Sequence, residues 1–286
     1  MISVLESINL SAKYLSEKGI DSARMNAELL LAEILGCKRL ELYLKFDKPL
    51  SEDEVVKYRI FLSRRSKGEP LQYILGKVEF FGMEFIVNEN VLIPRQETEI
   101  LVEIITEKYK TGSYLNVLDI GTGSGIISIC LAKHLPDSTI YATDISENAL
   151  KTAKLNADKN SVSNITFFKN DILNQEFDIK TEFDIIVSNP PYVSLEEYST
   201  LQKEIVNYEP KEAVTDNSDG YTFYKRISNI AGKILKPGGE LFFETGQGQA
   251  ENVKNIMIKN NFINTYLIKD YLGIERVVAG QKVWEH

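Results

Sequence analysis

The chain has 286 residues, of which 43% are hydrophobic and 26% are charged, and a formal net charge of -8. This length accommodates a main domain and a smaller one. The excess of acidic residues is atypical of a protein whose main task is to grip a phosphate backbone. Two cysteines and two histidines are too few for a Cys/His zinc site or a disulfide framework, so we expect no metal.

The sequence contains no apolar run long enough to span a bilayer. Its first residues lack the basic start and the continuous apolar core of a signal peptide, because Glu6, Ser7 and Asn9 interrupt the apolar positions. We therefore predict a cytoplasmic protein that does not need a membrane.

The N-terminal part of the chain has apolar residues at helical spacing. In the clearest segment, DSARMNAELLLAEILG, Asp21 or Ser22 is a candidate helix cap and Gly36 is a candidate left-handed stop. Further segments of this kind lie before and after it. Together they predict a small helical bundle over residues 1–69.

The spacing of the apolar residues changes after this bundle, from a helical to a strand-like pattern. Residues 70–93 are rich in strand-forming residues that Gly76, Gly82 and Asn88 interrupt, which predicts a β-hairpin linker. The segment PRQETEILVEIITEKY then predicts a helix at the start of a larger domain over residues 94–286.

Strands and helices alternate in this larger domain. The strand-like segments NVLDI, TIYATDI, NITFFKND and FDIIVS are separated by helical ones such as GIISICLAKHL and ENALKTAKLNADKN. The segments LKPGGELFFE, INTYLIKDY and RVVAGQKVW add three more strands near the end. This order predicts an α/β fold with a doubly wound, mostly parallel seven-stranded sheet whose helices cover both faces.

A glycine loop connects the first of these strands to its helix in VLDIGTGSGIISI. Ligands of a doubly wound sheet bind beyond the carboxyl ends of its strands, so Gly121, Gly123 and Gly125 stand where a cofactor belongs. The third glycine of the dinucleotide fingerprint would fall on Ile126, which disfavours NAD, and no GKS/T phosphate loop is present. A plain tight turn is the alternative for this loop taken alone.

The ends of the neighbouring strands add polar groups. Asp144 ends the second strand, where one carboxylate can accept hydrogen bonds from both hydroxyls of a ribose. Asn170 and Asp171 follow the third strand and can face an adenine edge. Asp119 can orient a cationic methionyl group or, alternatively, cap a neighbouring helix. An adenosine with a cationic tail fits these groups, which predicts S-adenosyl-L-methionine as cofactor and S-adenosyl-L-homocysteine as product.

The fourth strand of the domain ends in SNPPY. Neither Pro190 nor Pro191 has an N–H, so the Asn189 side-chain oxygen and the Pro190 carbonyl are expected to be free acceptors. Two such acceptors can hold both N–H bonds of a planar amino group while its nitrogen attacks a sulfonium methyl, and Tyr192 can pack on that group. Positioning contributes up to about 7 to 11 kcal/mol in favourable systems, so no strong base is required. The alternative is that the prolines merely end a strand.

These motifs together resemble a known family. VLDIGTGSG, ATDIS, SNPPY and LKPGG resemble class I methyltransferases, which have a Rossmann-like fold, that modify amino groups. The flanking segments GEPLQYILGKVEFFG, LIPRQETE, YEPKEAV, DGYTFYKRI and GIERVVAG narrow the resemblance to the peptide chain release factor glutamine methyltransferases, the PrmC or HemK family. The resemblance spans nearly the whole chain.

This resemblance implies a reaction and a set of contacts. The reaction is methylation of the side-chain amide nitrogen, N5, of the glutamine in the Gly-Gly-Gln loop of bacterial class I release factors 1 and 2, with no nucleic acid required. The candidate catalytic and glutamine-holding residues are Asn189, Pro190, Pro191 and Tyr192. The candidate cofactor-binding residues are Asp119, Gly121, Thr122, Gly123, Ser124, Gly125, Asp144, Ile145, Asp171, Ile172 and Asn189.

Two positions depart from the family pattern. Gln96 stands in PRQETE where the family has a second proline, and Ile172 stands where many members have tryptophan. The resemblance therefore carries no stacking role over to Ile172, and it leaves the rigidity around Gln96 open.

Other functions are compatible with parts of the pattern. An N6-adenine or N2-guanine methyltransferase acting on DNA or RNA can use the same NPPY device, although the acidic balance argues against it. A module that only senses S-adenosylmethionine would leave NPPY idle. In the enzyme interpretation, we expect the helical bundle and the hairpin to dock the body of the release factor.

Overall fold

The structure is a computed structural model that describes residues 2–109, 114–174, 177 and 180–284. The predicted domains 1–69 and 94–286 therefore include a few residues outside the description. Among the described helices, none combines the length and the apolar character that a membrane crossing requires.

Helices and strands follow one another largely as the periodicity predicts. The helices are α1 (Val4–Glu17), α2 (Ala23–Ile34), α3 (Glu52–Ser66), α4 (Leu71–Leu75), α5 (Thr98–Lys108), α6 (Ile126–His134), α7 (Glu147–Lys159), α8 (Leu195–Tyr198), α9 (Lys203–Tyr208), α10 (Lys211–Val214), α11 (Thr222–Ile234) and α12 (Ala250–Lys259), with a 3-10 helix at Arg39–Leu44. The strands are β1 (Lys77–Phe80), β2 (Met83–Ile86), β3 (Asn116–Ile120), β4 (Thr139–Asp144), β5 (Ile165–Lys169), β6 (Phe183–Ser188), β7 (Leu235–Glu244), β8 (Phe262–Lys269) and β9 (Glu275–Lys282).

The chain forms two compact units. The first contains Met1–Lys77 together with Gln202–Tyr208, and the second contains Val78–Leu201 and Glu209–His286. The functional division into residues 1–69, 70–93 and 94–286 stays a prediction, and the presence of α9 in the first unit is a feature that no sequence pattern indicates.

The first unit is a helical bundle. Buried apolar side chains of α1, α2 and α3 form its core, among them Ile8, Leu30 and Leu62. α1 and α3 each begin with a capping box, in which Ser3 or Ser51 accepts a hydrogen bond from the backbone of a glutamate three residues on, whose side chain bonds back. These caps satisfy backbone donors that a helix start leaves open, so both helix starts are well defined.

Two local features of this unit differ from the sequence prediction. Ser22 is the N-cap of α2, but its side chain makes no capping hydrogen bond. Its left-handed backbone explains this, because a capping side chain normally needs an extended one. Leu71–Leu75, within the predicted hairpin linker, is helical because Pro70 presets the start and Gly76, with φ of +70°, ends the turn. The hairpin itself consists of β1 and β2.

Arg65 ties α9 to the rest of the first unit. Its side chain is 6% exposed, and its Nε donates to Asn26 Oδ1 at 2.7 Å. Its Nη2 pairs with Glu204 Oε2 at 3.2 Å, across a sequence separation of 139 residues. A contact of this range leaves no local signal, which is why the sequence does not predict it.

In the part of the second unit that the structure describes, seven strands form one sheet in the order β5-β4-β3-β6-β7-β9-β8. β9 is antiparallel to both of its neighbours, whereas β3 to β7 pair in parallel. Alternate residues of β6 face opposite sides, so Ile185 packs with α5 and α6 while Ile186 packs with α11 and α12. The predicted α/β, doubly wound, mostly parallel sheet is therefore confirmed.

The register of the sheet brings the ends of four strands together. Ile120 of β3 pairs with Thr143 of β4 on one side and with Ser188 of β6 on the other. Ser188 in turn pairs with Phe243 of β7. The loops that follow these strands therefore emerge at one edge of the sheet.

A buried carboxyl ties the end of β3 to the start of α6. Asp119 Oδ2 accepts hydrogen bonds from Thr122 Oγ1 at 2.6 Å and from Ser128 N at 3.2 Å. Its Oδ1 is buried and has no partner among the described residues. Burial raises the pKa of this carboxyl from 3.8 to about 7. The ionised form of Asp119 therefore opposes folding at neutral pH.

We expect Asp119→Asn to change the pH dependence of stability. Between about pH 4 and pH 7 the folded state retains a proton that the unfolded state has lost, so the free energy of unfolding of the wild type should fall as the pH rises. Asparagine can accept the same two hydrogen bonds without titrating. Relative to Asp119→Asn, the wild type should lose on the order of 2–4 kcal/mol over this range.

Urea unfolding of both proteins at several pH values measures this difference. The exposed Asp158 provides a matched control, because Asp158→Asn makes the same chemical change at the surface. A difference between wild type and Asp119→Asn that is independent of pH would contradict the prediction.

Candidate active site

A cavity of about 560 Å³ lies at the carboxyl edge of the sheet in the second unit. Its volume is typical of small-molecule sites, which occupy roughly 300–1,000 Å³. The predicted site residues that line it are Gly121, Gly123, Asp144, Ile145, Asp171, Ile172, Asn189, Pro190 and Pro191. Those that do not line it are Asp119, Thr122, Ser124, Gly125 and Tyr192.

The loop residues outside the cavity wall hold the loop in shape. Gly125 has φ of +84°, and a Cβ there would lie 2.9 Å from Ile129 Cδ1 and 3.1 Å from Ala153 Cβ. Glycine therefore allows α6 to pack closely on α7. The Ser124 carbonyl accepts a hydrogen bond from Asn156 Nδ2 of α7 at 2.9 Å, which fastens the same loop from the other side.

Asp144 is oriented by backbone donors. Its Oδ2 accepts a hydrogen bond from Gly123 N, and its Oδ1 accepts one from Ser146 N, both at 2.9 Å. Burial raises the pKa of Asp144, and these hydrogen bonds act in the opposite direction. A carboxylate has about four acceptor positions, so both oxygens retain capacity for the hydroxyls of a ligand.

The residues after β5 form a turn at the other side of the cavity. Asn174 Nδ2 donates to Asp171 Oδ2 at 2.9 Å, and this bond is the main reason why the pKa of Asp171 is lowered. Asn170 Oδ1 is buried and has no hydrogen-bond partner in the described chain, although its residue lines the cavity. Ile172 is 8% exposed and adds an apolar surface to the wall.

The loop after β6 brings two acceptors to the cavity. Asn189 is half-buried, and its Nδ2 donates to Thr98 Oγ1 at 3.2 Å. Within the described ranges, no residue donates a hydrogen bond to Asn189 Oδ1 or to the Pro190 carbonyl. Both oxygens are therefore available to a ligand that carries N–H bonds.

Tyr192 lies behind this loop rather than in the cavity wall. Its ring packs with the core under α11 and α12, and burial raises its pKa to about 12. Its carbonyl accepts a hydrogen bond from Gln249 Nε2 at 2.9 Å. A Cβ at Gly220 would lie 2.6 Å from this carbonyl oxygen, and one at Gly246 would lie 3.0 Å from the Tyr192 ring. Two glycines therefore make room for Tyr192, which supports the loop from below.

Sequence reasoning missed several residues that border this site. Thr98 and Glu244 lie beside Asn189 and are 1% and 2% exposed. Glu209 accepts hydrogen bonds from Ile93 N at 3.1 Å and from Arg95 Nη2 at 2.7 Å, which fixes the segment before α5. The only available signal was an acidic residue at the end of a strand, as for Asp144, and Glu244 at the end of β7 has that placement.

The cavity wall is acidic. Its charged residues are Glu89, Asp144, Asp171, Glu212 and Asp216, and no Lys, Arg or His is among the described residues that line it. This distribution favours a cationic ligand and disfavours one that carries phosphates. No cluster of three or more His, Cys, Asp or Glu side chains that could hold a metal ion occurs within the described residues.

Family models match both parts of the chain. Residues 6–76 match the PrmC N-terminal domain, and residues 95–271 match the methyltransferase small domain. Among solved structures, a methyltransferase from Pyrococcus furiosus is similar with a TM-score of 0.52 and 20% sequence identity, over 71% of this chain and 90% of that one. This likeness shows a shared fold.

Two curated relatives extend the comparison. The release factor glutamine methyltransferase of Geobacter sulfurreducens is 42% identical over 268 residues, which cover 94% of this chain and 93% of the relative. That of Fusobacterium nucleatum is 40% identical over 279 residues, which cover 97% of this chain and 78% of the relative. With such identities over nearly its whole length, the chain belongs to the release factor glutamine methyltransferase family.

Proposed function

We propose that this protein transfers a methyl group from S-adenosyl-L-methionine to N5 of the glutamine in the Gly-Gly-Gln loop of release factors 1 and 2. One observation carries the proposal. Asn189 Oδ1 and the Pro190 carbonyl are unpartnered acceptors at the end of β6, in the wall of a cavity that also contains Asp144. The names of the relatives point to the same substrate.

The cavity residues fit S-adenosylmethionine. Asp144 would accept hydrogen bonds from the ribose hydroxyls, and Gly121 and Gly123 would allow a close approach to the backbone. The buried and unpartnered Asn170 Oδ1 would accept a hydrogen bond from the adenine amino group. The acidic wall suits a positively charged cofactor. When bound, this cofactor supplies a methyl group on a sulfonium, which is an electrophile.

Asn189 and Pro190 would hold the nucleophile. A glutamine side chain has two N–H bonds on its amide nitrogen, and each can donate to one of the two acceptors. As the nitrogen attacks, it gains positive charge, and the dipoles of both acceptors stabilise this charge because they are already oriented. Their main contribution is to fix the nitrogen in line with the methyl group, which removes the need for a strong base.

The same features disfavour the nucleic-acid alternative. A flipped nucleotide brings phosphates with it, and their negative charge would meet the carboxylates of Glu89, Glu212 and Asp216. We therefore propose that the substrate is a release factor and not a nucleic acid. That no metal or membrane is required, and that the enzyme acts in the cytoplasm, stay predictions from the sequence. Docking of the release factor body by residues 1–69 stays a prediction.

The first test is transfer of labelled methyl from S-adenosylmethionine to purified substrates. We expect label on a release factor with an intact Gly-Gly-Gln loop, and none on its Gly-Gly-Ala variant, on DNA or on ribosomal RNA. Mass spectrometry of the labelled peptide then identifies the modified nitrogen. Label on nucleic acid alone would refute the proposed substrate.

We expect Asn189→Ala to impair catalysis far more than cofactor binding. The substitution removes one of two acceptors for the amide, so kcat should fall about 100-fold, as it does when one oriented dipole is deleted from other active sites. The Kd for S-adenosylmethionine, measured by calorimetry, should change by less than about fivefold. Asn148→Ala, at an exposed asparagine, serves as control. A wild-type rate in Asn189→Ala would sink the assignment.

Asp144→Ala should have the complementary effect. Loss of a charged acceptor for the ribose weakens binding by about 10- to 100-fold, since hydrogen bonds to charged groups contribute about 1.5–3 kcal/mol. Calorimetric titration with S-adenosylmethionine measures the Kd. Glu212→Ala removes a carboxylate from the same cavity wall and separates a specific contact from general charge. Equal losses in both variants would argue against a ribose contact by Asp144.

A further inference from the structure

The Asn189 amide can serve the proposed reaction in only one of its two orientations. A half turn about its last bond exchanges Oδ1 and Nδ2 with almost no change in shape. In one orientation the cavity receives an acceptor, which suits an incoming amide nitrogen. In the other it receives an NH2 group, which would face the NH2 group of the substrate. The site therefore needs a feature that distinguishes the two ends of this side chain.

Two buried residues that do not line the cavity lie at the Nδ2 end. Thr98, the first residue of α5, is 1% exposed, and its Oγ1 lies 3.2 Å from Asn189 Nδ2. Glu244 follows Phe243, which pairs with Ser188, so the sheet register sets Glu244 beside Asn189. Burial raises the pKa of Glu244 to about 7, and the side chains of Thr98 and Asn189 act in the opposite direction as hydrogen-bond donors. Both residues thus offer acceptors to the amide NH2.

This arrangement determines which hydrogen bond the Thr98 hydroxyl donates and which it accepts. A hydroxyl can donate one hydrogen bond and accept others, so Thr98 alone could bond to either end of an amide. The Glu244 carboxyl is placed to accept a hydrogen bond from Thr98 and, once ionised, it can only accept, so above a pH of about 7 the Thr98 hydrogen is committed to the carboxylate. With that hydrogen committed, Thr98 can only accept from Asn189, and the bonds run in one direction from Asn189 through Thr98 to Glu244.

Several neighbours act on the Glu244 carboxyl. The negative charge of Glu97, just before α5, opposes its ionisation, whereas the positive charge of Arg276 on β9 favours it. Tyr224 of α11 donates its hydroxyl hydrogen to the Glu244 carbonyl at 2.9 Å and fixes the end of β7. Glu244 Oε2 is buried and has no hydrogen-bond partner in the described part of the chain, so the carboxyl retains capacity to accept a hydrogen bond.

We propose that Thr98 and Glu244 are positioning residues for methyl transfer, which hold the Asn189 amide with Oδ1 toward the cavity. This inference rests on the proposed function, because only a substrate with N–H bonds needs an acceptor there. Neither residue touches the substrate or the cofactor in this arrangement. Their effect is on how often the enzyme presents the productive amide orientation, and therefore on kcat.

The test compares two substitutions of Thr98 that differ by one functional group. Thr98→Val keeps the shape of the side chain and removes the hydroxyl, whereas Thr98→Ser keeps the hydroxyl. We expect kcat for methylation of a purified release factor to fall about 10- to 100-fold in Thr98→Val and to stay within about threefold of wild type in Thr98→Ser. The Kd for S-adenosylmethionine and the KM for the release factor should stay within about threefold in both.

Glu244→Gln gives a second and independent measurement. Its amide can donate to Thr98, which frees the Thr98 hydroxyl to donate to Asn189 Oδ1, so kcat should fall about tenfold although shape is conserved. If Thr98→Val does not bind the cofactor, Glu244→Gln decides alone. Wild-type kcat in the folded variants would overturn the inference while leaving the proposed function intact. A wild-type enzyme that does not methylate the release factor would overturn both.

Discussion

The parallel pairing of β6 between β3 and β7 is the constraint on which the rest of the site depends. Ser188 lies opposite Ile120 on one side and opposite Phe243 on the other, and its hydroxyl donates to the Ile120 carbonyl at 2.7 Å. A slip of one residue would exchange the two faces of β6, so that side chains packed against one helix layer would meet the other. The apolar residues on both faces of β6 fix its register and therefore also the position of Asn189 at its end. The same packing thus determines the core and the geometry of the site.

A second feature of the site is a set of acidic side chains whose pKa is raised. Asp119, Asp144 and Glu244 all have a raised pKa because burial disfavours their charged forms. Each would be more favourably placed in water, so the apo protein carries unfavourable electrostatic energy at this edge of the sheet. A positively charged ligand relieves part of it. Functional sites commonly combine such destabilising features with a cavity, and here both occur at the same strand ends.

Some of these features are local in sequence and could be predicted. The glycine loop is a strand, a turn and a helix in succession, and Asp144 ends the next strand, so periodicity alone locates both. The two prolines after Asn189 remove N–H groups wherever the chain goes. These features can be predicted from the sequence because each depends only on residues a few positions apart in the chain.

Other features depend on contacts that periodicity cannot report. Thr98 and Asn189 are 91 residues apart, and only the assembled sheet and α5 bring them together. The Tyr192 ring packs against the core of the second unit in the space beside Gly246, and its contact with the substrate stays a prediction. The capping role of Ser22 failed for a different reason, because its backbone is left-handed. Packing and backbone angles decided these cases, and a single sequence encodes neither explicitly.

Gly220 and Gly246, which lie against Tyr192, limit how the substrate range of the enzyme can be changed. Gln249 donates to the Tyr192 carbonyl and accepts from Gly246 N, while any side chain at Gly220 or Gly246 would collide with Tyr192 or Gln249. Tyr192 and Gln249 therefore fill the space behind the loop that carries the two acceptors. The loop cannot move back to admit a bulkier amide. To make the enzyme methylate bulkier amides, Tyr192 and Gln249 would have to be substituted together. Substitutions that only enlarge the cavity would leave the support behind the loop unchanged.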